Sequence, residues 1–200
     1  CPRSSAAGRR PRRRRPPFQS RLAAVADRSV HLRVRVDPGD LALALQELDV
    51  HRKVQLIVSG GIRNGADVAK ALALGADAVA IGTAALIALG DNDPRFAAEY
   101  EALGSAAGFY DDFQDGKDPT GISTQDTDLA ARFDSVAGGR RLANYLRVLT
   151  MELQVVARAC GKAHVQHLEP EDMGSLTVEA AAMSRIPLAG TSWVPGTAYW

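Results

Sequence analysis

The stretch LIVSGGIRNGADVAKALALGADAVAIGT, residues 56–83, decides the fold expected for this chain. It begins with a short, continuous apolar run, which is typical of a parallel strand covered on both faces. An alanine-rich segment with helical spacing of its apolar residues follows, and a second apolar run comes after it. The pattern predicts an α/β fold in which parallel strands over residues 54–58 and 78–82 are joined by a right-handed helical crossover over residues 65–75.

Both predicted strands are followed by small residues. Gly60 and Gly61 come after the first strand, and Gly82 and Thr83 come after the second. Glycine lets the backbone turn sharply and lets a ligand approach it closely. Because the carboxyl ends of parallel strands meet at one edge, the main-chain N–H groups there favour an anion such as a phosphate. The alternative is that these glycines only permit tight turns in some other α/β protein.

Two further motifs extend the pattern: TAALIALG at residues 83–90 and GISTQDTDLAARFD at residues 121–134. In this order, the motifs resemble the FMN-dependent glutamate synthases and, more distantly, inosine monophosphate dehydrogenase. From about Val50 to Gly196 the chain is similar to the C-terminal part of the short, stand-alone FMN-binding glutamate synthase domain proteins. The order of the motifs makes the resemblance specific.

This resemblance implies both a fold and a binding site. The fold is the C-terminal portion of a (β/α)8 TIM barrel, namely strands 7 and 8, with a C-terminal helical extension. The cofactor is FMN, whose phosphate the family holds at the two glycine turns. Arg63 is added as a cation that could approach the phosphate or could instead form a surface ion pair. The residues that correspond to the family's phosphate site are Gly60, Gly61, Ile62, Gly82 and Thr83.

By the same resemblance, the activity is that of an FMN-dependent oxidoreductase that forms glutamate from 2-oxoglutarate and the nitrogen of ammonia or glutamine, by reducing 2-iminoglutarate. Partner subunits that donate electrons or act as a glutamine amidotransferase are implied as well. The family's substrate-binding groups lie on earlier strands, so no catalytic residue is nominated. One alternative is a barrel of the inosine monophosphate dehydrogenase type. Another is a non-catalytic interaction module derived from a truncated barrel, which flavin absorbance would distinguish from either enzyme.

One segment departs from the family. Typical glutamate synthases place three cysteines between the two strands and the GISTQD motif, and their thiolates ligate an iron–sulfur cluster. Here residues 91–121 contain no cysteine, and the only cysteines of the chain are Cys1 and Cys160. An iron–sulfur cluster is therefore not expected, although Asp118 stands where the family has a ligand. The acidic side chains of this loop are expected to face water; they are Asp91, Asp93, Asp111, Asp112, Asp115 and Asp118.

The charge of the chain is divided unevenly. Residues 1–53 contain 13 of the 24 Lys and Arg but 5 of the 23 Asp and Glu, within a formal net charge of +1. Residues 1–20 are rich in Arg, Pro and Ser and are expected to be disordered, while LRVRV at residues 32–36 alternates like a strand. We predict a basic, non-family segment over residues 1–45 and a partial barrel with a helical tail over residues 46–200. The first segment is interpreted as foreign to the barrel, in a fragment of a longer protein. A basic arm for nucleic acid is less favoured, because no base-reading motif accompanies the arginines.

The tail is predicted to be helical over residues 140–160 and 170–183. His164 and His167 lie near Glu169, but no further ligand has motif spacing, so no metal site is expected. The sequence has no run of about 18 apolar residues that could span a membrane and no signal-peptide pattern. A cytoplasmic protein without a membrane partner is expected.

Overall fold

A computed structural model of the protein describes residues 21–25, 29–30, 38–50, 53–109 and 115–196. None of the helices in this part of the chain has the length and apolar content of a membrane-spanning helix. Single turns of 3-10 helix lie at Pro94–Phe96, Val165–His167 and Pro170–Asp172. In chain order, the other elements are β1 (Arg21–Val25), β2 (Ser29–Val30), α1 (Pro38–Glu47), β3 (Gln55–Ser59), α2 (Gly65–Ala73), β4 (Ala78–Ala80), α3 (Thr83–Leu89), α4 (Ala97–Ala102), α5 (Thr127–Ala130), α6 (Ser135–Ala159) and α7 (Val178–Ser184).

The four strands form one sheet in the order β2-β1-β3-β4. β3 and β4 are parallel neighbours, with Val58 opposite Val79, and α2 lies between them in the chain. The predicted parallel pairing and its connecting helix are therefore confirmed, as is the α/β class. On its other side, β3 pairs antiparallel with β1. The sheet is thus mixed, and the assignment of β3 and β4 to strands 7 and 8 of a barrel stays a prediction.

The N-terminal segment that was predicted over residues 1–45 has regular structure in its described part. It contains β1, β2 and most of α1. The disorder predicted for residues 1–20 and the strand predicted for residues 32–36 lie outside the described residues. The division of the chain at residue 45 stays a prediction, and α1 runs across it.

The sequence around α2 supplies both ends of the helix. Asn64 precedes the helix, and its Oδ1 accepts a hydrogen bond of 2.9 Å from the main-chain N–H of Asp67. This bond satisfies one of the donors that the first turn of a helix leaves unpaired. The helix ends at Ala73, two residues before the predicted end, and Gly75 then adopts a φ of +97°, a conformation that favours glycine.

The main core lies between β3, α2 and α6. Leu56 and Val58 of β3 pack with the apolar face of α2 and with Leu153 and Ala157 of α6. The other buried members are Ile62, Val68, Ala69, Ala71, Leu72, Ala73, Ala76 and Leu168. Packing on both sides of α2 fixes the position of β3 and of the turn that follows it.

The tail differs from its prediction in two places. α6 begins five residues earlier than expected, because Asp134 caps it by accepting bonds from the N–H groups of Val136 and Ala137, each 3.0 Å long. The single helix predicted over residues 170–183 is wrong. After the 3-10 turn, Ser175 exchanges main-chain hydrogen bonds with residues 187 and 189, and this pairing separates the turn from α7.

Candidate functional site

β3 and β4 end side by side. In their parallel register Ser59 lies opposite Ala80, so the residues after both strands leave the sheet at the same edge. Gly60 and Gly61 follow β3 directly, and Gly82 follows β4 after one residue. This carboxyl edge is where open α/β sheets bind their ligands. The structure therefore brings the two predicted glycine turns to one edge.

Both turns leave space above their main chain. Gly60 and Gly61 have φ angles of +112° and +71°, which an L side chain rarely adopts. A β-carbon built on Gly61 or on Gly82 would meet no atom within 4 Å. A phosphate group could therefore approach the main chain at each turn without displacing a side chain.

The other residues predicted to hold the phosphate are Ile62, Thr83 and Arg63, which have side chains. The side chain of Ile62 is buried in the core, so only its main chain is left for a ligand. Thr83 is half-buried and is the first residue of α3. Arg63 is exposed, and its Nε lies 3.3 Å from Oδ2 of Asp67, which is the surface ion pair expected as the alternative to phosphate binding. The predicted site is thus mainly a main-chain site.

Two side chains of α6 contact the segment between the first glycine turn and α2. The hydroxyl of Tyr145 donates a hydrogen bond of 2.8 Å to the carbonyl of Arg63, and the carboxylate of Glu152 accepts one of 2.8 Å from the N–H of Gly65. Burial raises the pKa of Tyr145, and the carboxylates of Glu152 and Asp67 raise it further. The phenol therefore keeps its proton and acts as a donor.

A second polar centre lies inside the acidic loop, where Asp91, Tyr100, Asp118 and Thr120 are buried. We call these four residues the carboxylate cluster. The hydroxyl of Tyr100 lies 2.6 Å from Oδ1 of Asp91 and 2.8 Å from Oδ1 of Asp118. The hydroxyl of Thr120 donates to the same oxygen of Asp118 at 2.8 Å. Sequence reasoning missed this centre.

The expectation that the acidic loop faces water is therefore wrong for Asp91 and Asp118, because protein donors replace water at their oxygens. Asp115 is exposed as expected. Asp93 is partly exposed and is 2.7 Å from Nη2 of Arg95. The remaining two aspartates, at positions 111 and 112, lie outside the described residues.

In the carboxylate cluster, the pKa values of Asp118 and Tyr100 are shifted in opposite directions. Burial opposes the ionisation of Asp118, but the N–H of Ser123 and the side chains of Thr120 and Tyr100 donate to it and hold its pKa below the usual value. Burial raises the pKa of Tyr100, and the carboxylates of Asp91 and Asp118 raise it further. At neutral pH, an ionised Asp118 is therefore joined to a protonated phenol. This arrangement ties together parts of the loop that are distant in sequence.

The loop does not fit a thiolate-ligated cluster. Residues 91–121 contain no cysteine. Asp118 already accepts bonds from Tyr100, Thr120 and Ser123. In the described part of the chain, no three or more His, Cys, Asp or Glu side chains are grouped so that they could hold a metal ion. Nδ1 of His164 accepts a hydrogen bond of 3.2 Å from a neighbouring N–H. That the protein uses no metal stays a prediction.

A cleft of about 520 Å³ opens beside the carboxylate cluster and is bordered by three arginines. Arg95 pairs with Asp93, and Arg132 pairs with Glu99 at 2.8 Å. Arg141 donates to the main-chain carbonyl of residue 89. Because acceptors within the chain already engage all three guanidinium groups, we assign no ligand to this cleft.

Comparison with known proteins identifies the relatives of this chain. Residues 40–96 match a family model described as the conserved region in glutamate synthase. A glutamate synthase large subunit-like protein from Rhizobium meliloti (strain 1021) is 70% identical over 153 residues, which are 76% of this chain and 35% of the relative. An archaeal-type glutamate synthase (NADPH) from Dehalococcoides mccartyi is 38% identical over 136 residues, or 66% of this chain and 24% of the relative.

An archaeal glutamate synthase (NADPH) from Methanocaldococcus jannaschii is 37% identical over 136 residues, again 66% of this chain and 24% of the relative. The chain thus spans about a third or less of the curated relatives that it matches. No solved structure matches it. The family match includes both glycine turns of the candidate site, because residues 60–61 and 82–83 lie within residues 40–96.

Proposed function

We propose that this chain, which belongs to the glutamate synthase family, carries the phosphate-binding edge of an FMN site in an oxidoreductase that forms glutamate. The observation that carries this proposal is the shared carboxyl edge of β3 and β4, with open space at Gly61 and Gly82. The substrate of the complete enzyme would be 2-iminoglutarate, made from 2-oxoglutarate and the nitrogen of ammonia or glutamine. Its expected location is the cytoplasm.

The residues of this chain would bind and orient the cofactor. Main-chain N–H groups of the turns Gly60–Ile62 and Gly82–Thr83 would donate hydrogen bonds to the phosphate, and the buried side chain of Ile62 would anchor the first turn in the core. To contact the phosphate, Arg63 would have to exchange its ion pair with Asp67. When bound, FMN supplies the hydride-transfer chemistry. Two of the three relatives described above have NADPH in their names, so we propose NADPH as the source of electrons, delivered through a partner subunit or domain.

Phosphate recognition can be tested on the present chain by titrating the ¹⁵N-labelled protein with FMN and with riboflavin, which lacks the phosphate. We expect FMN to shift the main-chain amide signals of Gly60, Gly61, Gly82 and Thr83, and riboflavin to leave them unchanged. Affinity should be weak, because this part of the chain provides little wall for the flavin ring. Equal responses to both flavins, or none to either, would contradict the proposal.

The chain offers a matched pair of glycine variants for the same titration. Gly61→Val adds a branched side chain at the proposed contact, whereas Gly104→Val adds it elsewhere. The two glycines have similar φ angles, +71° and +68°, and a β-carbon at either would meet no atom within 4 Å. Both variants therefore impose the same type of backbone strain. We expect Gly61→Val alone to abolish the response to FMN.

A further inference from the structure

The first glycine turn is exposed to solvent at its tip and has few apolar contacts of its own. Gly61 has no side chain, and a β-carbon there would meet no atom within 4 Å. Ile62 is the one side chain of the turn that enters the core. Because a loop without packing is held mainly by its hydrogen bonds, the bonds at the end of this turn decide how well its main chain is ordered.

Two of those bonds come from α6, and a third comes from Asp67 of α2, which accepts a bond of 3.2 Å from the N–H of Arg63. Tyr145 and Glu152 are seven residues apart, which is two helical turns, so both side chains project from one face of α6. Tyr145 holds the carbonyl of Arg63, and Glu152 holds the N–H of Gly65, both at 2.8 Å. The carbonyl of Arg63 and the N–H of Gly65 are thus both hydrogen-bonded to side chains of one helix, α6.

Glu152 also determines where an anion can bind. Its carboxylate accepts a hydrogen bond from the N–H of Gly65, the first residue of α2, and the side chain of Asn64 accepts one from the N–H of Asp67. An incoming phosphate would have to displace a carboxylate to reach the N-terminus of α2, where the helix dipole would otherwise attract it. The N–H of Arg63, just before α2, also donates to a carboxylate, that of Asp67 at 3.2 Å. These bonds leave the N–H groups of residues 60–62, in the glycine turn itself, to a phosphate.

We propose that Tyr145 and Glu152 are positioning residues for the phosphate turn: they fix the main chain of residues 63–65 and direct a phosphate to the glycine turn, away from the N-terminus of α2. This inference rests on the proposed FMN site. The two residues would not contact the cofactor. They would act by holding the turn in the conformation that binds it.

The test uses the variants Tyr145→Phe, Glu152→Ala and Glu152→Gln, with Gln154→Ala as a control on an exposed position of the same helix. Amide hydrogen exchange in the absence of ligand should quicken at Gly65 in Glu152→Ala and stay unchanged in the control. The preference for FMN over riboflavin, measured as a ratio of dissociation constants, should fall about ten-fold in Tyr145→Phe and Glu152→Ala, the size expected for loss of one hydrogen bond that orders a binding group. Glu152→Gln keeps an acceptor oxygen and should restore most of the preference.

The outcomes separate this inference from the one on which it rests. If the unaltered chain shows no preference for FMN, the proposed cofactor site fails, and the positioning role fails with it. If the unaltered chain prefers FMN but Tyr145→Phe and Glu152→Ala keep the full preference, the FMN site stands and the positioning role is overturned. Lower thermal stability with an unchanged ratio would also overturn it, because the contacts would then be structural only. Tyr145→Phe, a mild change, keeps the test valid if Glu152→Ala does not fold.

Discussion

The main-chain N–H of Gly65 donates a hydrogen bond of 2.8 Å to the carboxylate of Glu152, 87 residues further along the chain. The contact requires the start of α2 to lie directly against α6. A β-carbon on Gly65 would be 2.4 Å from the main-chain nitrogen of Leu153 and 2.5 Å from the carbonyl oxygen of Leu149. Since main-chain atoms cannot turn away as a flexible side chain can, only glycine permits this approach.

Gly65→Ala is therefore expected to push α2 away from α6. Overpacking of this kind typically destabilises a protein by about 1–3 kcal/mol. Gly139→Ala is the matched control, because Gly139 lies within α6 and a β-carbon there would meet no atom within 4 Å. That change should stabilise the protein by about 0.5–1 kcal/mol through helix propensity. Urea unfolding of both variants should thus show shifts of opposite sign, and a Gly65→Ala variant as stable as the unaltered chain would contradict the close packing.

The same contact shows where prediction from sequence stops. The unit β3–α2–β4 could be predicted because its signals are local: an apolar run, an Asn64 cap, helical spacing and a second apolar run within 28 residues. The early start of α6 had a local signal in Asp134 as a cap residue, but Gly138 and Gly139 follow it within the first turns, and glycine weakens a helix prediction. The contacts of Gly65 with Glu152 and of Arg63 with Tyr145 had none, because the chain has many glycines and glutamates and the pairing depends on how two helices pack.

In the carboxylate cluster, too, the local contact could be predicted from sequence and the long-range contacts could not. A turn at Asp118 is readable from the sequence Asp-Pro-Thr, and the structure shows it as a bond of 3.1 Å from the N–H of Thr120 to Oδ1 of Asp118. The burial of Asp118 could not be read, because it depends on Tyr100, 18 residues away, and on Asp91, which also bonds that phenol. A run of acidic residues usually indicates a solvated loop, and here that rule failed at the two aspartates that meet a buried tyrosine.

Asp118→Asn tests the cluster by replacing an acceptor oxygen with a donor. Asp118 accepts bonds from Tyr100, Thr120 and the N–H of Ser123, and the amide would face some of these donors with N–H groups. Hydrogen bonds to a charged group contribute about 1.5–3 kcal/mol, so we expect a loss of at least about 2 kcal/mol in the free energy of unfolding. Asp93→Asn is the control in the same loop and should have little effect, because exposed ion pairs contribute little. Equal effects of the two changes would argue against a buried role for Asp118.

The loop is also expected to bind no iron. Residues 91–121 contain no cysteine. In the carboxylate cluster, the oxygens of Asp91 and Asp118 that could bind a metal are hydrogen-bonded to Tyr100 instead. Iron analysis and electron paramagnetic resonance on anaerobically purified protein should detect no stoichiometric cluster. Asp118→Cys is a useful comparison, because one thiolate at this position should not create an iron–sulfur site when the other ligands are lacking. A full complement of iron in the unaltered chain would show that this reading of the loop is wrong.

The phenol of Tyr100 predicts how stability changes at alkaline pH. Burial, together with the carboxylates of Asp91 and Asp118, raises the pKa of Tyr100 above its ordinary value of 10.0. Below about pH 10, the folded and unfolded chains both keep this proton, so the difference in unfolding free energy between the unaltered chain and Tyr100→Phe should be constant. Above that pH the unfolded chain releases the proton first, which favours unfolding, and the advantage of the unaltered chain should shrink. Urea unfolding of both proteins from pH 8 to pH 11 measures this difference. If the difference stays constant across that range, the hydroxyl of Tyr100 is not held protonated between the two carboxylates.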